Sequence, residues 1–460
     1  MNDMAILQHK FDQLKAGNAA RRLSFGLGAR RAALARLSRV IQDHRAEIVA
    51  AVGADMSKPA TEVELSEVLP VLAEISHSAR HLHRWMRPRR AWPTLLTLGT
   101  RAALHPEPKG VALIIAPWNF PFMLALVPVV SAIAAGCAVV VKPSELTPAT
   151  SALIARLLPL ALPGLALVFE GGAETSQALL AKPFDHIFFT GSPAVGKLVM
   201  AAAAQNLVPV TLELGGKSPV VVGTGADIRR ASKWIAWGKV LNSGQICVSP
   251  DHVYVHESLL APFTAALRAE VQAMAQGPVT AIVNDRHYAR LNQLTEDARA
   301  QGATVELLGA DNPSQRHMAT RLVTGTTASM AISTEEIFGP LLPLIPYHDL
   351  AEPIAAINAA PKPLTLYAFG SADLAARLRD QTSSGSLGVN LTIMPFIHAN
   401  LPFGGVGNSG MGAGHGRAGF DTFSHLKPVL KNHFTLLPLL FPPYTGRVKR
   451  LKEWALQLVK

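Results

Sequence analysis

Between Lys109 and Lys142 the chain carries no charged side chain. A stretch of that length must be kept from water, inside a bilayer or inside a packed core. Pro117, Asn119, Pro121, Pro128 and Gly136 within it argue against one spanning helix, because each breaks or weakens helical continuity. The remaining reading is buried strand, loop, buried helix, buried strand, with strands over Val111–Ile115 and Ala138–Val141 and a helix over Met123–Ala135. Continuous apolar strands of this kind belong to a parallel sheet covered on both faces.

The flanking sequence extends that pattern. Residues from about 5 to 85 are rich in Ala, Leu and Arg at helical spacing and are predicted helical. Trp92–His105 reads as an extended connection. Leu165–Phe169, His186–Phe189 and Pro209–Leu214 are predicted strands, with helices over Ser151–Pro159 and Pro193–Gln205. Strands alternating with helices imply right-handed crossovers and an open parallel sheet. The alternation restarts after Gly215, with strands at Val220–Val222, Val253–Val255, Thr365–Phe369 and Gly388–Asn390 and a helix over Leu259–Ala275. Two α/β units follow, since 460 residues exceed one ordinary core. Ligands of such sheets bind beyond the carboxyl ends of the strands.

Composition narrows the partners. The net charge is +11, concentrated in Arg21, Arg22, Arg30, Arg31, Arg36 and Arg39, in His83–Arg90, and in Arg447–Lys460. These read as solvated helix faces, or as attraction to an anionic membrane surface or a polyanionic cofactor. No basic stripe is interleaved with aromatics, so a nucleic-acid partner is not expected. Two cysteines make no disulfide framework and no CxxC zinc site, so no metal is expected and a reducing, cytoplasmic setting fits. Met1-Asn2-Asp3-Met4 lacks a signal-peptide hydrophobic stretch. Near the end, the apolar, proline-broken segment Phe434–Pro443 precedes a basic helix over Val448–Lys460. That helix suits an anionic bilayer, or docking on its own subunit or a partner.

The chemistry-bearing residues sit in turns. Asn242-Ser243-Gly244-Gln245-Ile246-Cys247-Val248 places one thiol in a polar, glycine-containing turn, and Glu213-Leu214-Gly215-Gly216-Lys217 ends a strand with a carboxylate. Covalent thiol chemistry with a general base requires this pair of groups. A free cysteine is otherwise a small buried hydrophobe, the reading that stands for Cys137. In Pro117-Trp118-Asn119-Phe120-Pro121, Asn119 is an oxyanion donor or a turn residue capping its own backbone. Lys142-Pro143-Ser144-Glu145 is placed to meet a nucleotide's ribose or adenine, or is a solvated turn. In Thr190-Gly191-Ser192-Pro193-Ala194-Val195-Gly196, Ser192 is a good N-cap and Pro193 suits the first helical position, so the exposed amides suit a pyrophosphate. It is not the GxGxxG fingerprint. Glu335-Glu336-Ile337-Phe338-Gly339-Pro340 and the glycine-rich loop Leu401–Gly412 each serve equally well as structural turns.

Together and in this order, these segments resemble the NAD(P)-dependent aldehyde dehydrogenase superfamily, over nearly the whole chain to about Leu430. The loop Leu401–Met411 with Phe420-Asp421-Thr422-Phe423-Ser424-His425 resembles its class 3 branch, which includes fatty, aromatic and coniferyl aldehyde dehydrogenases. The resemblance implies Cys247 as nucleophile, Glu213 as the base that activates water, and Asn119 as oxyanion donor. It implies NAD or NADP as cofactor. Lys142, Ser144 and Glu145 would lie at the adenosine ribose, Gly191, Ser192 and Gly196 at the pyrophosphate, Glu336 and Phe338 at the nicotinamide ribose, and Trp118 between cofactor and substrate. Pro193-Ala194 departs from the Thr-Gly of many class 3 members.

It further implies two Rossmann-like open-sheet domains and a small oligomerisation β-element. The boundaries expected are 1–90 with 109–212 for the cofactor domain, 213–400 for the thiol domain, 91–108 with 401–433 for bridging elements, and 434–460 for the tail. A homodimer pairing through Trp92–Pro108 and Leu426–His433 is implied as well. The expected substrate is an aliphatic or aromatic aldehyde. The alternatives are an acylating, coenzyme A-linked relative, against which Glu213 argues, and an idle scaffold, against which Cys247, Glu213 and Asn119 argue together.

Overall fold

The structure, a computed structural model, describes residues 3–94 and 97–458. Three sheets organise it. The first has the order β15-β7-β6-β3-β4-β5, where β3 is Val111–Ile115, β4 Ala138–Lys142, β5 Ala166–Val168, β6 His186–Gly191, β7 Val210–Leu214 and β15 Gly410–Met411. Its strands are parallel except β15, which pairs antiparallel to β7 and sets Gly410 opposite Glu213. The uncharged stretch is its centre. All of β3, all of β4 and every residue of the helix Met123–Ala135 are buried. Each fully buried Val, Leu or Ile side chain contributes about 1.5–3 kcal/mol, so one carboxylate introduced at Val140 would break this layer.

The helix Met123–Ala135 ends at Gly136, whose φ of +95° closes it in the left-handed region. Arg30 donates to the Ala134 carbonyl (3.0 Å) and to that of Phe25 (2.8 Å). Arg30 therefore departs from the solvated face expected of the N-terminal arginines. It is buried because a cation at a helix C-terminus satisfies carbonyls that the helix cannot. A side chain at Gly136 would collide with its guanidinium.

The second sheet has the order β10-β11-β12-β9-β8-β13-β14. Here β8 is Pro219–Val222, β9 His252–His256, β10 Thr304–Leu307, β11 Arg321–Thr324, β12 Leu341–Tyr347, β13 Thr365–Phe369 and β14 Ser386–Val389. Only the β10–β11 pairing is antiparallel. The sequence reading missed β10, β11 and β12. Pro343 and Pro346 inside β12 disguise an interior strand, because proline withholds a ladder donor. A third sheet, β1-β2-β16, joins Arg89–Ala91, Thr100–Pro108 and Ser424–Asn432 antiparallel. Among the described residues no helix is long and apolar enough to cross a membrane.

Candidate active site

Asn119 sits in the loop between β3 and the helix Met123–Ala135 and is buried. Its side-chain amide donates to the Gln245 carbonyl at 3.0 Å, using one of its two N–H groups. Its own carbonyl accepts from Asn242 Nδ2 (2.9 Å) and Lys58 Nζ (3.3 Å).

The Cys247 loop follows the helix Ile228–Val240. Asn242, Ser243 and Gly244 have φ of +51°, +51° and +69°, three successive left-handed residues. Such backbone persists only where surroundings over-determine it. Here Asn242 N donates to Glu62 Oε1 (2.9 Å) and Asn242 Nδ2 to the Gln245 carbonyl (3.0 Å). Ser243 Oγ donates to the Thr280 carbonyl. Gln245 Nε2 donates to the carbonyls of Asn242 and Ala281 (both 3.0 Å), and its Oε1 accepts from Val283 N (3.1 Å). A Cβ at Gly244 would stand 2.5 Å from the Gly339 carbonyl.

A cavity of about 270 Å³ collects Trp118, Asn119, Gly191, Ser192, Glu213, Cys247, Glu336 and Phe338 on its wall. Lys142, Ser144, Glu145 and Gly196 lie outside that wall. Lys142 ends β4 opposite Ile115 of β3 and holds Glu145 at 2.6 Å. The Ser144 hydroxyl is taken up in its turn, accepting from Leu146 N at 3.2 Å. Ser192 accepts from Val195 N (3.4 Å) as the N-cap of the helix Pro193–Ala204. Gly196 lets that helix lie against β7, since a Cβ there would meet Leu214 at 2.7 Å. The aromatic wall is Trp118, with Phe338 at 5.3 Å edge-on and His287 at 5.2 Å.

Phe338 is left-handed (φ +48°) and its segment is clamped throughout. Glu336 accepts from Gly216 N (3.0 Å), and Ile337 N donates to Asp251 Oδ2 (2.9 Å). Arg290 donates to the carbonyls of Glu336 and Ile337, Lys217 to those of Ile332 and Glu335, and Lys239 to that of Gly339. A side chain at Gly215 would collide with the Glu336 carboxylate, so that close approach requires glycine.

The electrostatics are those of a dry site. Among the described residues both Glu213 oxygens lack a hydrogen-bond partner. Burial pushes its carboxyl well above the usual range, opposed in part by the Gly414 amide. Burial raises Glu336 to about 7. The Cys247 thiol is pushed up to about 12 by desolvation and by the negative charges of Glu336 and Glu213.

Cys247 also lines a second cavity of about 410 Å³, whose wall includes Leu65, Phe120, Trp237, Ile246, Ile393 and Phe396. Cys247 thus lies between the two cavities. Sequence reasoning missed His287, Arg290 and His415 on the first cavity's wall and Glu62 on the second's. His287 and Arg290 come from the helix Asp285–Ala300, which carries no motif. His415 follows the glycine-rich loop with φ +66°.

The sequence matches the aldehyde dehydrogenase family over residues 15–429. It is 39% identical to the 4,4'-diaponeurosporen-aldehyde dehydrogenase of Staphylococcus aureus, covering 98% of this chain and 99% of that one. It is 41% identical to aldehyde dehydrogenase family 3 member A2 of Pongo abelii, over 86% of this chain and 82% of the relative. A solved substrate-bound state of Staphylococcus aureus AldH superposes with a TM-score of 0.92 at 37% identity, covering 98% of this chain and 99% of that one. The chain belongs to the aldehyde dehydrogenase family, enzymes that use a nicotinamide cofactor to oxidise aldehydes to carboxylic acids.

Proposed function

We propose that Cys247 is the nucleophile of this reaction, Asn119 its oxyanion donor and Glu213 its base, acting on an apolar aldehyde. The observation that carries the reading is the position of Cys247 on the walls of two cavities, one with Glu213 and Asn119, the other apolar. As thiolate, Cys247 adds to the aldehyde carbon, and the oxygen takes the negative charge. The free N–H of Asn119, with the backbone N–H of Cys247, stabilises that oxyanion. The adduct re-forms its carbonyl by releasing hydride, which leaves a thioester on Cys247. The nicotinamide, when bound, supplies the acceptor for this hydride. Glu213, in its ionised form, then takes a proton from water as the oxygen attacks the thioester carbon, and the carboxylic acid leaves with Cys247 again a thiolate.

The donor set suits the cofactor. The N-capped helix start after Ser192 would offer amides to a pyrophosphate, and Trp118 packed edge-on against Phe338 forms an aromatic wall. Lys142, Ser144, Glu145, Gly191, Ser192, Gly196, Glu336 and Phe338 are assigned to holding it. A carboxylate at Glu145 disfavours a 2′-phosphate, so NAD is preferred over NADP.

The second cavity, with its apolar walls, suits a medium- or long-chain or an aromatic aldehyde. The Staphylococcus aureus relative takes its name from a diaponeurosporen-aldehyde. The domain division given above stays part of this proposal, with β7 running two residues past 212 and β15 of the first sheet lying within 401–433, and the third sheet, β1-β2-β16, is assigned to pairing two copies into a homodimer. The exposed tail side chains Phe434, Leu436, Phe441 and Trp454, beside Arg447, Lys449, Arg450 and Lys452, assign it to peripheral contact with an anionic bilayer.

The test is a panel of aliphatic and aromatic aldehydes with NAD and no coenzyme A. Free acid and reduced cofactor in equal amounts, from apolar substrates first, are expected. Turnover only with coenzyme A would replace the reading by the acylating one, and turnover by Cys247→Ala would end it.

A further inference from the structure

Beneath the Asn119 loop lies a pair of charges that the reaction does not consume. Lys58 and Glu67 are joined at 2.7 Å, and neither side chain is exposed to solvent. Lys58 follows the helix Arg45–Met56 and lies with its ammonium 4.3 Å from the ring centre of Phe120. Glu67 projects from a π-helical turn, Glu64–Val68. Such turns are uncommon and concentrate at functional sites.

Burying two charges is costly. A buried ion pair replaced by apolar groups of similar volume is often no less stable. Stability alone is therefore a poor account of this pair, and its remaining bonds give a better one. Lys58 Nζ donates to the Asn119 carbonyl at 3.3 Å. Glu67 Oε2 accepts from the amides of Phe122 (3.2 Å) and Met123 (2.9 Å). The loop is thus tied at Asn119 and again at the first turn of the following helix. From the other side it is tied to the Cys247 loop, through Asn242 and Gln245.

We infer that Lys58 and Glu67 are positioning residues for the oxyanion site, fixing the main chain of residues 119–123 so that the Asn119 amide is held toward the oxygen of the adduct formed on Cys247. The inference rests on the role proposed for Asn119. The pair touches neither substrate nor cofactor; it acts through Asn119. The Asn119 carbonyl then serves as the fixed point. Lys58 and Asn242 both donate to it and fix the backbone, while the bond to the Gln245 carbonyl orients the amide at the end of the same residue.

The test is a coupling measurement. Lys58→Met with Glu67→Gln removes both charges and keeps an acceptor for the Phe122 and Met123 amides. The expected result is a fall in kcat of about 10- to 100-fold, with the aldehyde KM and the dissociation constant of NAD changed by less than about threefold. In an Asn119→Ala background the same double substitution should lower kcat no further, because the group it positions is gone. A purely structural role predicts losses that multiply in the two backgrounds, and that result overturns the inference, as does an unchanged kcat. If Asn119→Ala alone leaves kcat intact, the role of Asn119 fails and the inference falls with it. Glu67→Gln alone serves if the double variant does not fold, and is expected to show the same coupling.

Discussion

The side-chain nitrogen of Asn119 lies 3.0 Å from the carbonyl oxygen of Gln245, two residues before Cys247. One donor is spent on the loop and one is left for an oxyanion. Asn119→Ala is expected to lower kcat by about 10² to 10³. The lost hydrogen bond costs stability only about 1 kcal/mol, because the Gln245 carbonyl keeps Asn242 as donor. Steady-state rates and a thermal melt on one preparation separate the two effects. An equal collapse of both would count against the assignment.

Thiol reactivity reports the charges around Cys247. With the thiol pushed up to about 12, alkylation of the cofactor-free protein by iodoacetamide should be slow at neutral pH and climb steeply as pH rises. Glu336→Gln removes a negative charge that raises the thiol, so it should speed alkylation at a fixed pH. Mass spectrometry should find the label on Cys247. Cys137 is fully buried and donates to the Phe423 carbonyl at 3.3 Å, so it should stay unlabelled.

Glu213 ties activity to stability with opposite signs. Its carboxyl is held well above the unfolded value of about 4.3 by burial. Across that window the folded protein keeps a proton that the unfolded chain has lost, so stability falls as pH rises. Glu213→Gln cannot ionise and should melt higher than the parent, by a margin that grows as pH rises above the unfolded value of about 4.3. The same substitution removes the base and should lower turnover by about 10² to 10⁴. A margin that shrinks with rising pH would show the carboxyl to be ionised in the fold.

In the proposed function, cofactor choice is tied to Glu145, 2.6 Å from Lys142. NAD should show the lower KM when titrated beside NADP. Glu145→Ala should narrow the ratio by roughly tenfold, a difference of about 1.4 kcal/mol. A ratio that does not move places the carboxylate away from the ribose.

For the tail, the full chain should sediment with anionic vesicles and release at high salt, while a chain ending at Gly446 should not bind. Equal binding by both would assign the attraction to other basic surfaces.

The sequence showed most clearly the features whose cause is local. Ser192 and Pro193 were legible as a helix start because capping uses neighbours in the chain. The strands β3 and β4 were legible because nothing charged interrupts them. Lys58, Glu67 and His287 were not, because what makes each of them matter is a partner far away in the chain or in another element. Arg30 looked like its neighbours, since nothing near it in sequence reports a helix end at Ala134. The positions of β15 and β12 were hidden for opposite reasons. One is two residues among glycines, and the other is long but carries prolines.

The antiparallel edge strand β15 sets an order of assembly. A ribosome releases Glu213 long before Gly410, its partner across the ladder. Until the segment around Gly410 is in place, the first sheet has an open edge beside the carboxylate that the finished enzyme buries. The nascent chain can therefore complete much of its architecture while that carboxylate is still hydrated and unremarkable. Its raised affinity for a proton arrives only when β15 closes that edge.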